Sequence, residues 1–196
     1  MKRIAIFASG NGSNAENIIR YFQTNDLGVE VALVISNRHD AFVLQRAEKL
    51  KIPHCILTRA QLNDADTTIA LMEQYAIDFI VLAGFLLMIP SFLIQRFSGR
   101  IVNIHPSLLP KYGGKGMYGN HVHEAVVAAG EKETGITIHA VNEQCDGGDI
   151  LFQAVTTIEP TDTADDVANK VHQLEYTHFP RIIAQTILSN SKQYNG

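Results

Sequence analysis

Tryptophan is missing from this 196-residue chain, cysteine occurs twice, and Lys or Arg never form a run longer than two. Each scarcity excludes something. Cys55 and Cys145 make neither a disulfide framework nor a cysteine metal site. A net charge of −4 without a basic tract excludes general binding to nucleic acid or to an anionic membrane. No apolar stretch nears the ~20 residues that span a bilayer. The amino end, Met1-Lys2-Arg3 and then Ile4–Ala8, meets a glycine-rich turn too soon to hold a signal peptide's apolar region. Among eight histidines no ligand spacing such as H-E-x-x-H occurs, so no metal is expected. Repeats, low-complexity tracts and linkers are lacking too. With 46% hydrophobic residues the chain can fill one core. The expectation is a cytoplasmic protein folded as a single domain over residues 1–196. Composition leaves the oligomeric state open.

What is present alternates between two patterns. Apolar, β-branched runs predict strands at Arg3–Ala8, Val29–Ile35, His54–Leu57, Asp78–Leu82, Ile101–His105, Gly135–Val141 and Asp149–Ile158. Between them, helices are expected at Ala15–Phe22, Ala41–Leu50, Asp64–Tyr75, Pro90–Phe97 and Val122–Ala129. Pro90 is placed in the first helical turn. A last helix covers roughly Ala164–Leu188, with a break at Pro180. This rhythm predicts an α/β fold: a doubly wound, mostly parallel sheet flanked by helices, with an antiparallel edge near the C-terminus.

The stretch from Ile101 to Pro110 carries the strongest chemical signal. In a parallel sheet, ligands sit at the carboxyl ends of strands. Asn103 and His105 are two apart, so on a strand they share a face. Pro106 disfavours helix at His105 and keeps it extended at the strand's mouth. Asn supplies an amide donor and His an imidazole that titrates near neutrality.

Three further stretches can carry chemistry. Ser9-Gly10-Asn11-Gly12-Ser13-Asn14 lies between a strand and a helix start, where close backbone approach and free N–H groups favour a phosphate. Gly10-x-Gly12-x-x-Ala15 also fits a loose dinucleotide fingerprint, but the acid expected to close the second strand is replaced by Ser36-Asn37-Arg38-His39. That counts against an NAD-linked oxidoreductase. Asp146-Gly147-Gly148-Asp149 is either a surface turn or a carboxylate lifted to a strand-end site, with Asp146 the better candidate. Cys145 beside it reads as a small buried residue, since nothing near it in sequence activates a thiol. Lys111–Gly119 contains four glycines. It is either a mobile surface loop or a lid that carries Lys111 and Lys115 to an anionic substrate. A nucleotide-binding regulatory module would use the glycine loop but leave Asn103, His105 and Asp146 unexplained.

Asn103-Ile104-His105-Pro106-Ser107-Leu108-Leu109-Pro110, with Ser9–Asn14 upstream and Asp146-Gly147-Gly148 downstream, resembles the folate-dependent formyltransferase family over nearly the whole chain. The resemblance implies a Rossmann-like enzyme that takes a formyl group from 10-formyltetrahydrofolate, with no metal. Its expected partners are two small molecules, that folate and 5′-phosphoribosylglycinamide of purine biosynthesis. Related methionyl-tRNA formyltransferases and formyltetrahydrofolate deformylases carry an extra domain for which this chain has no room. The alternative is another user of the same folate, deformylase-like or acting on a different amine.

The resemblance also assigns residues. Asn103, His105 and Asp146 match the catalytic trio. Gly12, Ser13 and Asn14 match the phosphate loop, and Glu175 the ribose partner. Leu86, Leu87, Met88 and Ile89, together with Asn142, Glu143, Gln144 and Cys145, match the lining of the folate pocket. Leu87 stands where relatives often carry a basic residue that holds the folate's glutamate tail, which leaves Arg59 as a candidate substitute. The Gly113–Gly119 loop is longer than in many members.

Overall fold

Apolar β-branched runs fold as strands, and amphipathic stretches between them as helices, over residues 1–193, which the computed structural model describes. The strands are β1 (Lys2–Phe7), β2 (Val29–Ser36), β3 (His54–Ile56), β4 (Phe79–Leu82), β5 (Ile101–His105), β6 (Glu133–Ala140) and β7 (Ile150–Thr157). The helices are α1 (Ser13–Thr24), α2 (Phe42–Lys49), α3 (Arg59–Asn63), α4 (Ala65–Gln74), α5 (Ser91–Arg96), α6 (Asn120–Ala128) and α7 (Ala164–Gln193). One seven-stranded sheet runs in the order β3-β2-β1-β4-β5-β6-β7. β1 through β5 pair in parallel. The expected α/β class is observed, with a wider antiparallel part than the sequence indicated. β6 pairs antiparallel with β5 as well as with β7.

Alternation along the strands splits the core into two layers. Ile4 and Ile6 of β1 point to one side, where they meet Ile18 and Ile19 of α1, Val43 of α2 and Val171 and Phe179 of α7. Ala5 and Phe7 point to the other, against Leu62 of α3, Met72 of α4 and Leu93 of α5. Each fully buried Ile or Phe contributes about 1.5–3 kcal/mol. On β5, Val102 and Ile104 join the first layer and Ile101 the second. Asn103 and His105 therefore share the second face, as their spacing required.

Local structure departs from the sequence reading in three places. The short helix α3 has no counterpart among the expected elements. It is fixed by a capping box in which Thr58 and Gln61 satisfy each other's backbone groups. Pro90 is the N-cap of α5 rather than a residue of its first turn.

Pro180 does not break the last helix, because α7 continues through it. A proline there removes the N–H that would bond the Tyr176 carbonyl. Asn17 Nδ2 on α1 donates to that carbonyl at 2.9 Å. A neighbouring helix thus supplies the donor that the proline lacks.

Candidate active site

The parallel strands deliver their carboxyl ends to one edge, and β1 marks the point where strand order reverses, between β2 and β4. Ligand crevices form at such a point. After β1 the chain turns through Ser9–Gly12 into α1. Gly12 sits at the N-cap in a left-handed conformation (φ 76°), and an added Cβ there would run into Val43 of α2. The first intrahelical bond is Glu16 N–H to the Gly12 carbonyl (2.9 Å). The N–H groups of Ser13, Asn14 and Ala15 are therefore left without an intrahelical acceptor. Arg46 donates to the Asn11 carbonyl (2.8 Å) and pairs with Glu16, which ties the turn to α2. Ser9 is not free for a ligand. Its hydroxyl accepts from Leu86 N–H (2.9 Å) and also bonds Asn37.

Glu175 reaches this turn from α7, only 5% exposed. Asn14 Nδ2 donates to it at 2.8 Å, and His172 Nδ1 lies 2.9 Å from the same oxygen. That hydrogen bond raises the His172 pKa against the opposing pull of burial. His123 of α6 is buried close by, and burial holds its pKa low. Asn14 Oδ1 and His123 Nδ1 are buried without a hydrogen-bond partner among the described residues.

At β5 the second face opens. His105 Nε2 lies 2.7 Å from the Tyr112 carbonyl, so that nitrogen carries a proton and donates it. Its other nitrogen, Nδ1, faces Asp146 Oδ2 at 3.6 Å. Asn103 Nδ2 lies 3.0 Å from His139 Nε2. The His139 Nδ1 sits 2.9 Å from the Ala140 carbonyl, which places the proton on Nδ1 and leaves Nε2 to accept from Asn103. Asp146 Oδ1 approaches the same ring at 3.7 Å. Four side chains, Asn103, His105, His139 and Asp146, therefore converge. Burial pushes the Asp146 carboxyl up, but the His139 ring, the Gly114 N–H and the His105 ring together outweigh it and hold the carboxyl below the ordinary range. The Gly114 N–H donates to Asp146 Oδ2 at 2.9 Å.

His139 was missed in the sequence, although the signal existed. Ile136 and Ile138 of β6 belong to the first core layer, so Thr137 and His139 occupy the opposite face. In the antiparallel register Asn103 opposes His139 and His105 opposes Thr137.

The other expected site residues are placed as follows. Leu86 and Met88 are exposed, Leu87 is half-buried and Ile89 is buried. Asn142, Glu143 and Gln144 lie in the turn before Asp146, and all three are exposed. The turn's backbone is held by Gln144 N–H donating to Asn142 Oδ1 (2.9 Å). Asp146 itself is left-handed (φ 53°), and a Cβ on Gly148 would collide with the Ala140 carbonyl. Cys145 is exposed rather than buried, because the turn aims Asp146 inward and its neighbour outward. Burial and then Asp146 push the Cys145 thiol pKa up, which does not favour a nucleophile. Lys111 does not reach the site. Its ammonium bonds Glu131 at 3.0 Å. Lys115 is exposed in the loop beyond Gly114, and Arg59 lies at the surface at the start of α3. Among the described residues no helix is long and apolar enough to cross a membrane, and no cluster of three His, Cys, Asp or Glu could hold a metal ion.

A polar cluster thus lies at the mouth of β5, beside the turn that starts α1 on a doubly wound sheet, the arrangement of an α/β enzyme. A family model described as formyl transferase matches residues 2–183, and the chain belongs to the formyl transferase family. It is 39% identical over 187 residues to the phosphoribosylglycinamide formyltransferase of Haemophilus influenzae, covering 93% of this chain and 86% of that one. It is 35% identical to the Bacillus subtilis enzyme of the same name, over 98% of each chain. The crystal structure of glycinamide ribonucleotide transformylase 1 from Geobacillus kaustophilus superposes with a TM-score of 0.86 at 33% identity, over 94% of this chain and 98% of that one.

Proposed function

We propose that this chain transfers the formyl group of 10-formyltetrahydrofolate to the amine of 5′-phosphoribosylglycinamide. The observation that carries the reading is the convergence of Asn103, His105 and Asp146 within one polar cluster. The substrate amine attacks the formyl carbon, and negative charge develops on its oxygen. The Asn103 amide gives one hydrogen to His139 and retains a second for that oxygen. His105 holds Nε2 on Tyr112, so a proton on Nδ1 is the one available to the oxyanion. Losing one such donor costs ~3–4 kcal/mol of barrier. Asp146, held ionised, supports the protonated imidazole and takes the proton that the amine must lose, directly or through a water. Collapse breaks the bond from the formyl carbon to the folate nitrogen, which takes up a proton as it leaves.

Ser13, Asn14 and the free N–H groups after Gly12 hold the substrate phosphate, and Glu175 accepts from the ribose hydroxyls. Leu86 to Ile89 and Asn142 to Cys145 line the folate. Lys115, with no partner among the described residues, is the charge that the 113–119 loop can bring towards the phosphate.

The test is a spectrophotometric assay of purified protein with both substrates. Formyl transfer that requires the ribosyl phosphate supports the reading. Formate release without that substrate would favour a deformylase-like enzyme instead.

A further inference from the structure

Neither His105 nor Asp146 is positioned by its own strand or turn alone. His105 Nε2 is held by the carbonyl of Tyr112 (2.7 Å), and Asp146 Oδ2 by the N–H of Gly114 (2.9 Å). Both contacts come from backbone atoms of one short segment, so its placement sets the geometry of two reacting side chains at once. Tyr112 is left-handed there (φ 55°), a conformation that an L side chain adopts only when its surroundings hold it. The hold comes from outside the site. The Tyr112 hydroxyl donates to Glu131 Oε1 at 3.0 Å. The Lys111 ammonium donates to the two oxygens of the same carboxylate at 3.0 and 3.3 Å. Inside, the Ser107 hydroxyl donates to the Lys111 carbonyl at 2.7 Å. Glu131 lies in the short connection between α6 and β6, its N–H bonded to the Val126 carbonyl, and so outside the 111–119 segment.

We propose that Glu131 is a positioning residue for the transfer reaction. It clamps Lys111 and Tyr112 so that the segment ending at Gly114 holds His105 and Asp146 in their reacting arrangement. This rests on the reading that those two side chains act at the formyl carbon. Glu131 touches no substrate. Its effect falls on the chemical step more than on binding, because the phosphate loop is anchored through Arg46, the Leu86 segment through Ser9 and the 142–145 turn through Asn142.

The experiment compares wild type, Glu131→Ala, Glu131→Gln, Tyr112→Phe and the Glu131→Ala/Tyr112→Phe double variant as full chains. It reads kcat, both KM values and melting temperature. Glu131→Ala is expected to lower kcat about tenfold or more, since small misplacements of reacting groups are costly, with both KM values within about twofold of wild type. Glu131→Gln retains most of kcat, because its amide oxygen still accepts from the Tyr112 hydroxyl. The double variant is no slower than Glu131→Ala, as required when both changes remove one interaction. Wild-type kcat in Glu131→Ala, an equal loss in Glu131→Gln, or additive losses in the double variant would each overturn the proposal. If Glu131→Ala melts too low to assay, Tyr112→Phe, which removes one oxygen, decides: a lowered kcat with unchanged KM values supports the clamp, and a wild-type kcat sinks it. Wild-type protein without formyl transfer would remove the functional reading itself, and this proposal with it. Active wild type beside unaffected variants removes only the clamp.

Discussion

At the scale of single residues, replacing either side chain proposed as a donor to the oxyanion is the sharpest change. Asn103→Ala and His105→Ala are each expected to lower kcat by roughly 10²–10³ while leaving the circular-dichroism spectrum unchanged; near-wild-type turnover in either variant would refute the assignment. Asp146 makes a statement about stability as well. Its carboxyl pKa is depressed in the folded chain, so folding favours the ionised form at any pH above the ordinary carboxylate range. That stabilisation disappears as pH falls through the folded-state value. Asp146→Asn should therefore melt below wild type at neutral pH, with the two melting curves converging in acid. The turn proposed to hold the phosphate calls for care in choosing a variant. Gly12→Val blocks backbone approach, but its Cβ would collide with Val43 and loosen α1 from α2. Ser13→Ala is the cleaner probe, because it removes one hydroxyl and adds no atom. It should raise KM for the ribosyl phosphate roughly ten- to hundredfold, the worth of one hydrogen bond to a charged group, with the folate KM and melting temperature unchanged. Asn103 and His105 were legible from a period-of-two rule on one strand. His139 obeys the same rule on β6, but its meaning depends on β6 lying beside β5, which sequence does not state. The Tyr112 carbonyl and Gly114 N–H leave no trace in sequence, because every residue but proline carries both groups.

At the scale of elements, long apolar runs are legible. Val29–Ile35 is expected as a strand buried on both faces, and β2 is so buried. Short pieces are not. α3 is five residues long, less than the window over which a helical period shows. Pro180 misleads because the rule that proline breaks a helix is local, while its repair comes from a neighbouring helix. That repair by Asn17 can be measured. Asn17→Ala should destabilise the protein by about 1 kcal/mol in urea unfolding. In a Pro180→Ala background the same change should cost almost nothing, since alanine at that position restores the N–H that bonds the Tyr176 carbonyl. Equal costs in both backgrounds would show that the Asn17 contact and the proline are unrelated.

At the scale of the whole molecule, the sheet order explains why distant stretches meet. Parallel strands place the turn after β1, the segment after β4 and the end of β5 along one edge, while the antiparallel strand β6 sets His139 opposite Asn103. Glu175 arrives from α7, whose packing on α1 no local pattern reveals. The same edge leaves Leu86 and Met88 49% and 57% exposed, directly after a segment pinned to Ser9. Two large apolar side chains are thus kept wet at the place proposed for the folate, and covering them has a thermal signature. Burial of apolar surface lowers the heat capacity of binding, by about 0.45 cal/K/mol for each Å². Calorimetric titrations at several temperatures should give an enthalpy that falls steeply with warming for a folate analogue. For the ribosyl phosphate, whose proposed contacts are N–H groups and a carboxylate, the slope should be close to flat. Leu86→Ser/Met88→Ser should remove most of the steep slope and leave the flat one as it was.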